Sequence, residues 1–179
     1  MPRENRAPEG SARGGVISLV PLSTTERAEF LELQVEEFAR EKILAGHWTE
    51  REARKNSRKS ISRLTGADPL ARGHRFLKGV DVDGVRMGWI WIGPPPSPLD
   101  VERSQWLYQI TVEECLRGRG FGRAMLTALE RLLAHEGVDA LYLNVFAWNH
   151  AARSLYDSMG YETVLESPTD AQMRKRLAR

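Results

Sequence analysis

The sequence predicts a single mixed α/β domain, a mostly antiparallel sheet flanked by helices, and three observations carry that prediction. Short apolar or aromatic runs with strand character (GVISLVPL, SQWLYQITV, ALYLNVF) alternate with segments whose apolar residues recur at helical spacing. RFLKGVDVDGVRMGWIWIG places Asp83-Gly84 between two apolar runs, a hairpin signal. ECLRGRGFGRAM, residues 114–125, sets three glycines and three arginines between a strand and a helix. A chain of 179 residues, 41% hydrophobic and 28% charged, can bury one sizeable core and has no repeat or interior linker to divide it.

The elements follow in order. Residues 1–15 are rich in Arg, Gly, Pro and Glu and offer almost nothing to bury, so they are expected to be a disordered tail, with the domain spanning 16–179. GVISLVPL reads as a strand ended by Pro21. Ser23 and Glu26 have capping-box spacing ahead of a helix over about 25–45, whose apolar face holds Leu31, Val35, Phe38 and Ala39. Thr49 and Glu52 give a second box and a helix through about Leu64. In the hairpin, Asp83 and Gly84 are expected to supply the two positive φ angles of a type I′ turn. GPPPSPLD is a surface connection, and SQWLYQITV the strand that follows it. A helix runs from about Gly120 to His135, with Ala124, Leu126, Leu129, Leu132 and Leu133 on its apolar side. ALYLNVF is the next strand, NHAARSLYDSMGY a short helix ended by Gly160, and ETVLES and AQMRKRL two closing strands.

Composition narrows the function classes. A formal charge of +2 permits an anionic ligand without demanding nucleic acid. Cys115 is the only cysteine, which excludes an internal disulfide and a thiolate metal cluster; beside an arginine-rich helix start its thiol pKa could fall, but no partner histidine is identifiable. The start carries no apolar signal segment and no run spans a bilayer, so a cytoplasmic, reduced protein with no membrane contact is expected. His47, His74, His135 and His150 lack metal-ligand spacing and are assigned surface or capping roles, and no metal is expected. Trp89, Trp91, Trp106 and Trp148 are expected to pack the sheet or a pocket wall. Arg51, Arg54, Lys55, Arg58 and Lys59 make a basic stripe on the second helix, read first as a solvated face and second as an attractor for an acidic partner. Asp81 and Asp83 lack the remaining positions of a calcium loop. No G-x-S-x-G or H-E-x-x-H motif occurs.

The glycine-rich turn carries chemistry. A helix start presents unpaired N–H groups and a partial positive charge worth about 0.3–1 kcal/mol to a nearby anion. Gly118, Gly120 and Gly122 would let a phosphate approach those groups closely, and Arg117, Arg119 and Arg123 add mobile charge, so a diphosphate is the natural guest. Two familiar phosphate loops are excluded: Gly122 is followed by Arg123 and Ala124 rather than Lys-Ser/Thr, and a G-x-G-x-x-G pattern from Gly118 fails at Arg123.

Arg117-x-x-Gly120-x-Gly122 between a strand and a helix resembles the acetyl-CoA loop of the GNAT N-acetyltransferases. NHAARSLYDSMGY resembles that family's second signature at Asn149, Ala152, Leu155, Tyr156, Gly160 and Tyr161. The element order fits from residue 16 to 179, and the motifs fall between about 106 and 161. The resemblance implies a GNAT-type sheet splayed between its fourth and fifth strands, in a V between the ends near Val112 and Phe146. It implies that Ile110, Thr111 and Val112 pair their backbone with the pantetheine arm. It further implies that Arg117, Gly118, Arg119, Gly120, Phe121, Gly122 and Arg123 hold the pyrophosphate, that Asn149 and Ala152 face the cofactor, and that Tyr156 touches it as general acid. A backbone N–H near Val112 could stabilise the oxyanion of acyl transfer, and a tyrosine of pKa near ~10 is still protonated at neutral pH.

The acceptor end is less determined. A primary amine of pKa near ~10.4 must lose a proton before it attacks. The positions that carry a carboxylate in some family members hold Asn144 or Tyr108 and Gln109, which leaves a relay to Glu102, Glu113 or a helix glutamate such as Glu37. The function expected is acetyl transfer from acetyl-CoA by direct attack of a small-molecule or peptide amine, in a monomer or homodimer that takes no nucleic acid. The first two helices would wall the acceptor site. The alternatives are a non-catalytic acyl-CoA-binding regulatory protein and a basic nucleic-acid module.

Overall fold

A computed structural model describes residues 16–96 and 103–178. The elements run β1 (Ser18–Pro21), α1 (Thr24–Leu44), α2 (Glu50–Thr65), β2 (Arg75–Val80), β3 (Arg86–Gly93), β4 (Ser104–Val112), a 3-10 turn (Glu114–Leu116), α3 (Phe121–His135), β5 (Ala140–Phe146), α4 (His150–Ser158), β6 (Glu162–Glu166) and β7 (Asp170–Arg176). The seven-stranded sheet has the order β1-β2-β3-β4-β5-β7-β6, and only β4 and β5 pair in parallel. The tail over 1–15, residues 97–100 of the proline-rich connection and Glu102 lie outside the described residues.

Strand alternation divides the apolar residues between two cores. Leu77, Ile90, Ile92, Leu107, Leu141 and Leu143 face α3, which contributes Phe121, Met125, Leu126, Leu129 and Leu133. Phe76 and Trp91 point the other way, against Phe30 and Val35 of α1 and Ile61 of α2. The sheet is therefore covered on both faces. Ser23 forms the expected reciprocal box with Glu26: Glu26 N–H donates to Ser23 Oγ at 3.2 Å and Ser23 N–H donates to Glu26 at 2.9 Å.

Three expectations are corrected. The β2–β3 connection is not a type I′ turn, because Gly84 is left-handed but Asp83 is not. Asp81 accepts instead, its carbonyl from Gly84 N–H at 3.1 Å and its carboxylate from the N–H groups of Asp83 and Val85, so the turn centres on Val82 and Asp83. The second box does not close either: Thr49 Oγ1 donates to the Glu52 carboxylate at 2.8 Å and caps no backbone N–H. The basic stripe is the solvated face expected, with Arg51, Arg54, Lys55, Arg58 and Lys59 all exposed, and it also joins α2 to α1: Arg58 makes a two-pronged contact with Glu32 at 2.6 and 2.7 Å and Arg54 pairs with Glu36. His74 is not at the surface. It is 3% exposed, accepts the Trp91 indole N–H at Nδ1 (3.1 Å) and directs Nε2 at the Leu64 carbonyl (3.2 Å).

One irregularity in the β3–β4 pairing aims the side chains of the sheet's open end. Trp91 pairs with Gln109 but Ile92 pairs with Leu107, so Tyr108 is an extra residue on β4. A bulge of this kind re-aims side chains. Leu107, Ile110 and Val112 pack on the α3 side, whereas Tyr108 joins the α1 cluster and Gln109 reaches Glu37 of α1. The bulge sits where β4 leaves β5: parallel pairing runs from Ser104–Ala140 to Leu107–Leu143 and stops. The sheet thus opens as a V between the C-terminal halves of the two strands, as expected.

Candidate active site

The opening between β4 and β5 is the mouth of a cleft of ≈ 1010 Å³. Beyond Leu107, β4 pairs with β3 alone, so the β5-facing edge of Ile110, Thr111 and Val112 has no strand partner among the described residues. These three residues line the cleft.

At one end stands the glycine loop. Gly120 is the N-cap of α3 with φ +87° and supplies no side-chain cap, so the first-turn N–H groups are left without one. Gly118 is also left-handed, and a Cβ at either glycine would meet nothing within 4 Å, so both present open backbone. Phe121, 2% exposed, fixes the start of α3 in the core. Gly122 brings that start beside Val112 and Leu155, within 3.4–3.6 Å of a hypothetical Cβ. Two arginines of the loop are already oriented: Arg117 Nε donates to the Val112 carbonyl at 3.2 Å, and Arg123 donates to Ser158 Oγ at 2.6 Å. Arg117, Gly118, Gly120, Phe121, Gly122 and Arg123 all line the cleft; Arg119 is exposed and does not. Open amides at a helix start beside two held guanidinium groups fit a diphosphate.

The opposite strand ends in α4. Asn149 and Ala152 line the cleft, and the Asn149 carboxamide oxygen caps α4 by accepting from Ala152 N–H at 3.2 Å. Tyr156, also on the cleft wall, is 6% exposed and its hydroxyl has no hydrogen bond to any described residue. Burial pushes its phenol up to about 12, so it holds its proton throughout the neutral range.

Three residues of the far wall carry no motif. Arg40, Glu41 and Leu44 of α1 line it beside Glu37, with Tyr108 and Gln109 from the bulge and Phe146 stacked on Trp148 (centroids 5.7 Å apart). The i, i+4, i+7 spacing of Glu37, Glu41 and Leu44 was the available signal. Glu37 is fixed by two amides, Gln34 at 3.1 Å and Gln109 at 3.0 Å. Burial, reinforced by the nearby Glu37 charge, raises the Glu41 carboxyl to about 7. Asn144 also lines the cleft, and with its amide nitrogen turned toward β7 it donates to Ala171 O and Asp170 Oδ1 at 3.3 Å. Of the other proton acceptors considered, Glu113 pairs with Arg86 at 2.7 Å, away from the cleft. Cys115 is exposed on the 3-10 turn and lies off the cleft wall. Among the described residues no group of three or more His, Cys, Asp or Glu side chains could hold a metal, and no helix is long and apolar enough to cross a membrane.

Residues 29–161 match the model of the Acetyltransferase (GNAT) family. The chain is 31% identical over 160 residues to YdgE of Bacillus subtilis (strain 168), named an uncharacterized N-acetyltransferase, a match that covers 89% of this chain and 98% of that one. The crystal structure of the acetyltransferase YycN from Bacillus subtilis superposes with a TM-score of 0.76 at 28% identity, covering 84% of this chain and 96% of YycN. The PaiA N-acetyltransferase of Thermoplasma acidophilum, solved in complex with coenzyme A, shares the fold at a TM-score of 0.60 and 18% identity, over 89% and 98% of the two chains.

Proposed function

The chain belongs to the GNAT family and is an N-acetyltransferase, and from that premise we propose that it moves an acetyl group from acetyl-CoA to a primary amine entering from the α1 side; α2, expected to wall the site with α1, contributes no residue to the cleft lining. The observation that carries this reading is the unpaired edge of β4 beyond Leu107, opening onto the glycine loop at one end and onto α1 at the other. A linear thioester can lie along such an edge with its anionic head at one end and its reactive carbonyl at the break in the sheet.

On this reading the amides of Gly118 to Gly122 and the guanidinium groups of Arg117 and Arg123 hold the pyrophosphate, with Arg119 adding charge from outside the wall. Ile110, Thr111 and Val112 align the pantetheine arm through their backbone, and Asn149 and Ala152 border it. The thioester supplies an activated acetyl group. A backbone N–H near Val112 stabilises negative charge on its carbonyl oxygen, and Tyr156 delivers a proton where the sulfur leaves. The bulge at Tyr108 serves acceptor binding, because it turns two consecutive side chains toward α1.

Purified protein should show a saturable rise in melting temperature with acetyl-CoA and free thiol release when a suitable amine is added. The double variant Arg117→Ala/Arg123→Ala should bind acetyl-CoA roughly tenfold or more weakly, as loss of charge-assisted contacts implies. Thermal stabilisation by acetyl-CoA, with no thiol release across a broad amine library, would leave a binding protein instead.

A further inference from the structure

The carboxylates of α1 divide by face. Glu26 pairs with Lys78 of β2, and Glu32 and Glu36 pair with Arg58 and Arg54 of α2. Glu37 and Glu41 face the cleft, and neither has a lysine or arginine within salt-bridge distance among the described residues. Two carboxylates four residues apart on one helix repel each other. The buried Gln34, 7% exposed, and Gln109 hold Glu37 in that unfavourable place. The same cleft contains Tyr156, more than nine-tenths buried and without a hydrogen-bond partner among the described residues. An acidic wall without a basic partner and a hydroxyl without a protein partner, on the lining of one cleft, suit a cationic occupant.

Resting on the transfer reading above, we propose that Glu41 is the general base that removes a proton from the acceptor ammonium, and that Glu37 is the fixed counter-charge that seats this ammonium. The acceptor therefore enters as a cation. One N–H proton passes to the Glu41 carboxylate; the freed nitrogen lone pair forms the bond to the thioester carbonyl carbon, and the C–S bond breaks. The departing sulfur takes the Tyr156 proton, the phenol regains one from the newly acylated nitrogen, and Glu41 returns its proton to solvent. The balance is one amide, one thiol and one released proton.

The other charged or titratable groups around Glu41 suit this role. Arg40 shares the cleft wall, while the Lys42 ammonium, over the Phe38 and Phe146 rings (5.4 and 5.6 Å) and 3.4 Å from His47 Nδ1, draws the Glu41 carboxyl down without offsetting burial and the Glu37 charge. Tyr108 comes from β4, its phenol pushed up to about 12 by burial, and Tyr156 from α4 behaves likewise. Arg117 and Arg123 stand at the glycine-loop end. With its own carboxyl raised to about 7, Glu41 is half ionised near neutrality, where a base is most effective.

The test uses the full chain, acetyl-CoA and two probe amines, n-butylamine and a lysine tripeptide. Wild-type kcat/KM should rise with pH through one ionisation at about 7. E41Q should lose about 10²-fold or more of kcat/KM together with that limb, leaving only a rise toward the amine's own pKa of ~10. E37Q should raise KM for the amine more than it lowers kcat, and should move the limb to lower pH, because the Glu37 charge helps to hold the Glu41 carboxyl up. A second readout needs no turnover: the carboxyl carbon resonance missing from E41Q should titrate at about 7 in the free protein and shift downward with n-butylammonium. A resonance in the ordinary carboxylate range, or E41Q with undiminished rate and an intact limb, overturns the assignment while acetyl-CoA binding stands. Wild-type protein that fails to bind acetyl-CoA defeats the transfer reading, and the base with it.

Discussion

Gln109 on β4 donates to the Glu37 carboxylate of α1 at 3.0 Å, tying the bulged strand to the helix across the proposed acceptor end of the cleft. This contact exists because Tyr108 is an extra residue: without it, Gln109 would point with Leu107 into the α3 core. Gln109→Leu should leave Glu37 with the Gln34 amide alone. We expect a loss of about 1–2 kcal/mol, the scale of a hydrogen bond to a charged group, read by urea denaturation. KM for the acceptor should rise while acetyl-CoA affinity stays put. Equal losses in both affinities would show that the joint supports the whole cleft rather than its acceptor end.

The His74–Trp91 contact should make stability acid-sensitive. Burial lowers the His74 pKa, helped by the nearby Arg72, so the folded protein holds the imidazole neutral with Nδ1 free to accept from the indole. The unfolded chain takes up that proton near the ordinary histidine value of ~6.5. Between the two values the unfolded state binds more protons, so the contribution is fully present above ~6.5 and is lost as pH falls toward the folded value. Melting temperature should therefore decline as pH drops through this window, before ordinary carboxylates titrate. A His74→Gln variant should be less stable at neutral pH but should lack this decline. An identical decline in the variant would assign it to other groups.

Gly88 of β3 faces Val112, and a Cβ there would collide with the Thr111 carbonyl, a backbone atom that has no rotamer to move. Gly88→Ala should thus displace the strand that carries the proposed pantetheine contacts. The expected cost is about 1–3 kcal/mol, as for other overpacked sites, with weaker acetyl-CoA binding alongside it. Gly118→Ala provides the contrast, because its Cβ would meet nothing and only its φ of +74° is strained.

The legible parts of this fold were those written in local pattern. The Ser23 box, the strands SQWLYQITV and ALYLNVF, and the glycine-to-helix transition at Gly120 all depend on residues near one another in the chain, and each lies where the sequence placed it. The donor end of the cleft is local in the same sense. The acceptor end is not. Whether Gln109 faces α1 or α3 turns on one unpaired residue in β4, and alternation alone gives the wrong face. Similarly, Arg54 and Arg58 stay exposed as the sequence predicts, but their pairing with Glu36 and Glu32 of α1 joins residues 18 and 26 apart in the chain, beyond the reach of local pattern. His74 carried no motif, and its burial depends on Trp91 and Leu64, which come from different elements.

Tyr156 gives the sharpest test of the proton path. With its phenol at about 12, it cannot give up a proton to a sulfur of ordinary thiol pKa (~8.5) in an isolated step, because that transfer runs uphill by several kcal/mol. It becomes feasible only if the phenol oxygen receives a proton from the attacked nitrogen as it gives one to sulfur. Tyr156→Phe keeps the buried ring and removes only the hydroxyl, so stability and acetyl-CoA affinity should change little. Turnover should fall about 10²-fold, the usual contribution of a positioned acid. The limb assigned to Glu41 should persist in the variant, since Tyr156 does not titrate near neutrality. Replacing the acceptor by an oxyamine, whose nitrogen is already neutral, should rescue Glu41→Gln far more than Tyr156→Phe. Equal rescue of both would mean that the two groups act on the same proton, and undiminished turnover in Tyr156→Phe would remove the phenol from the path.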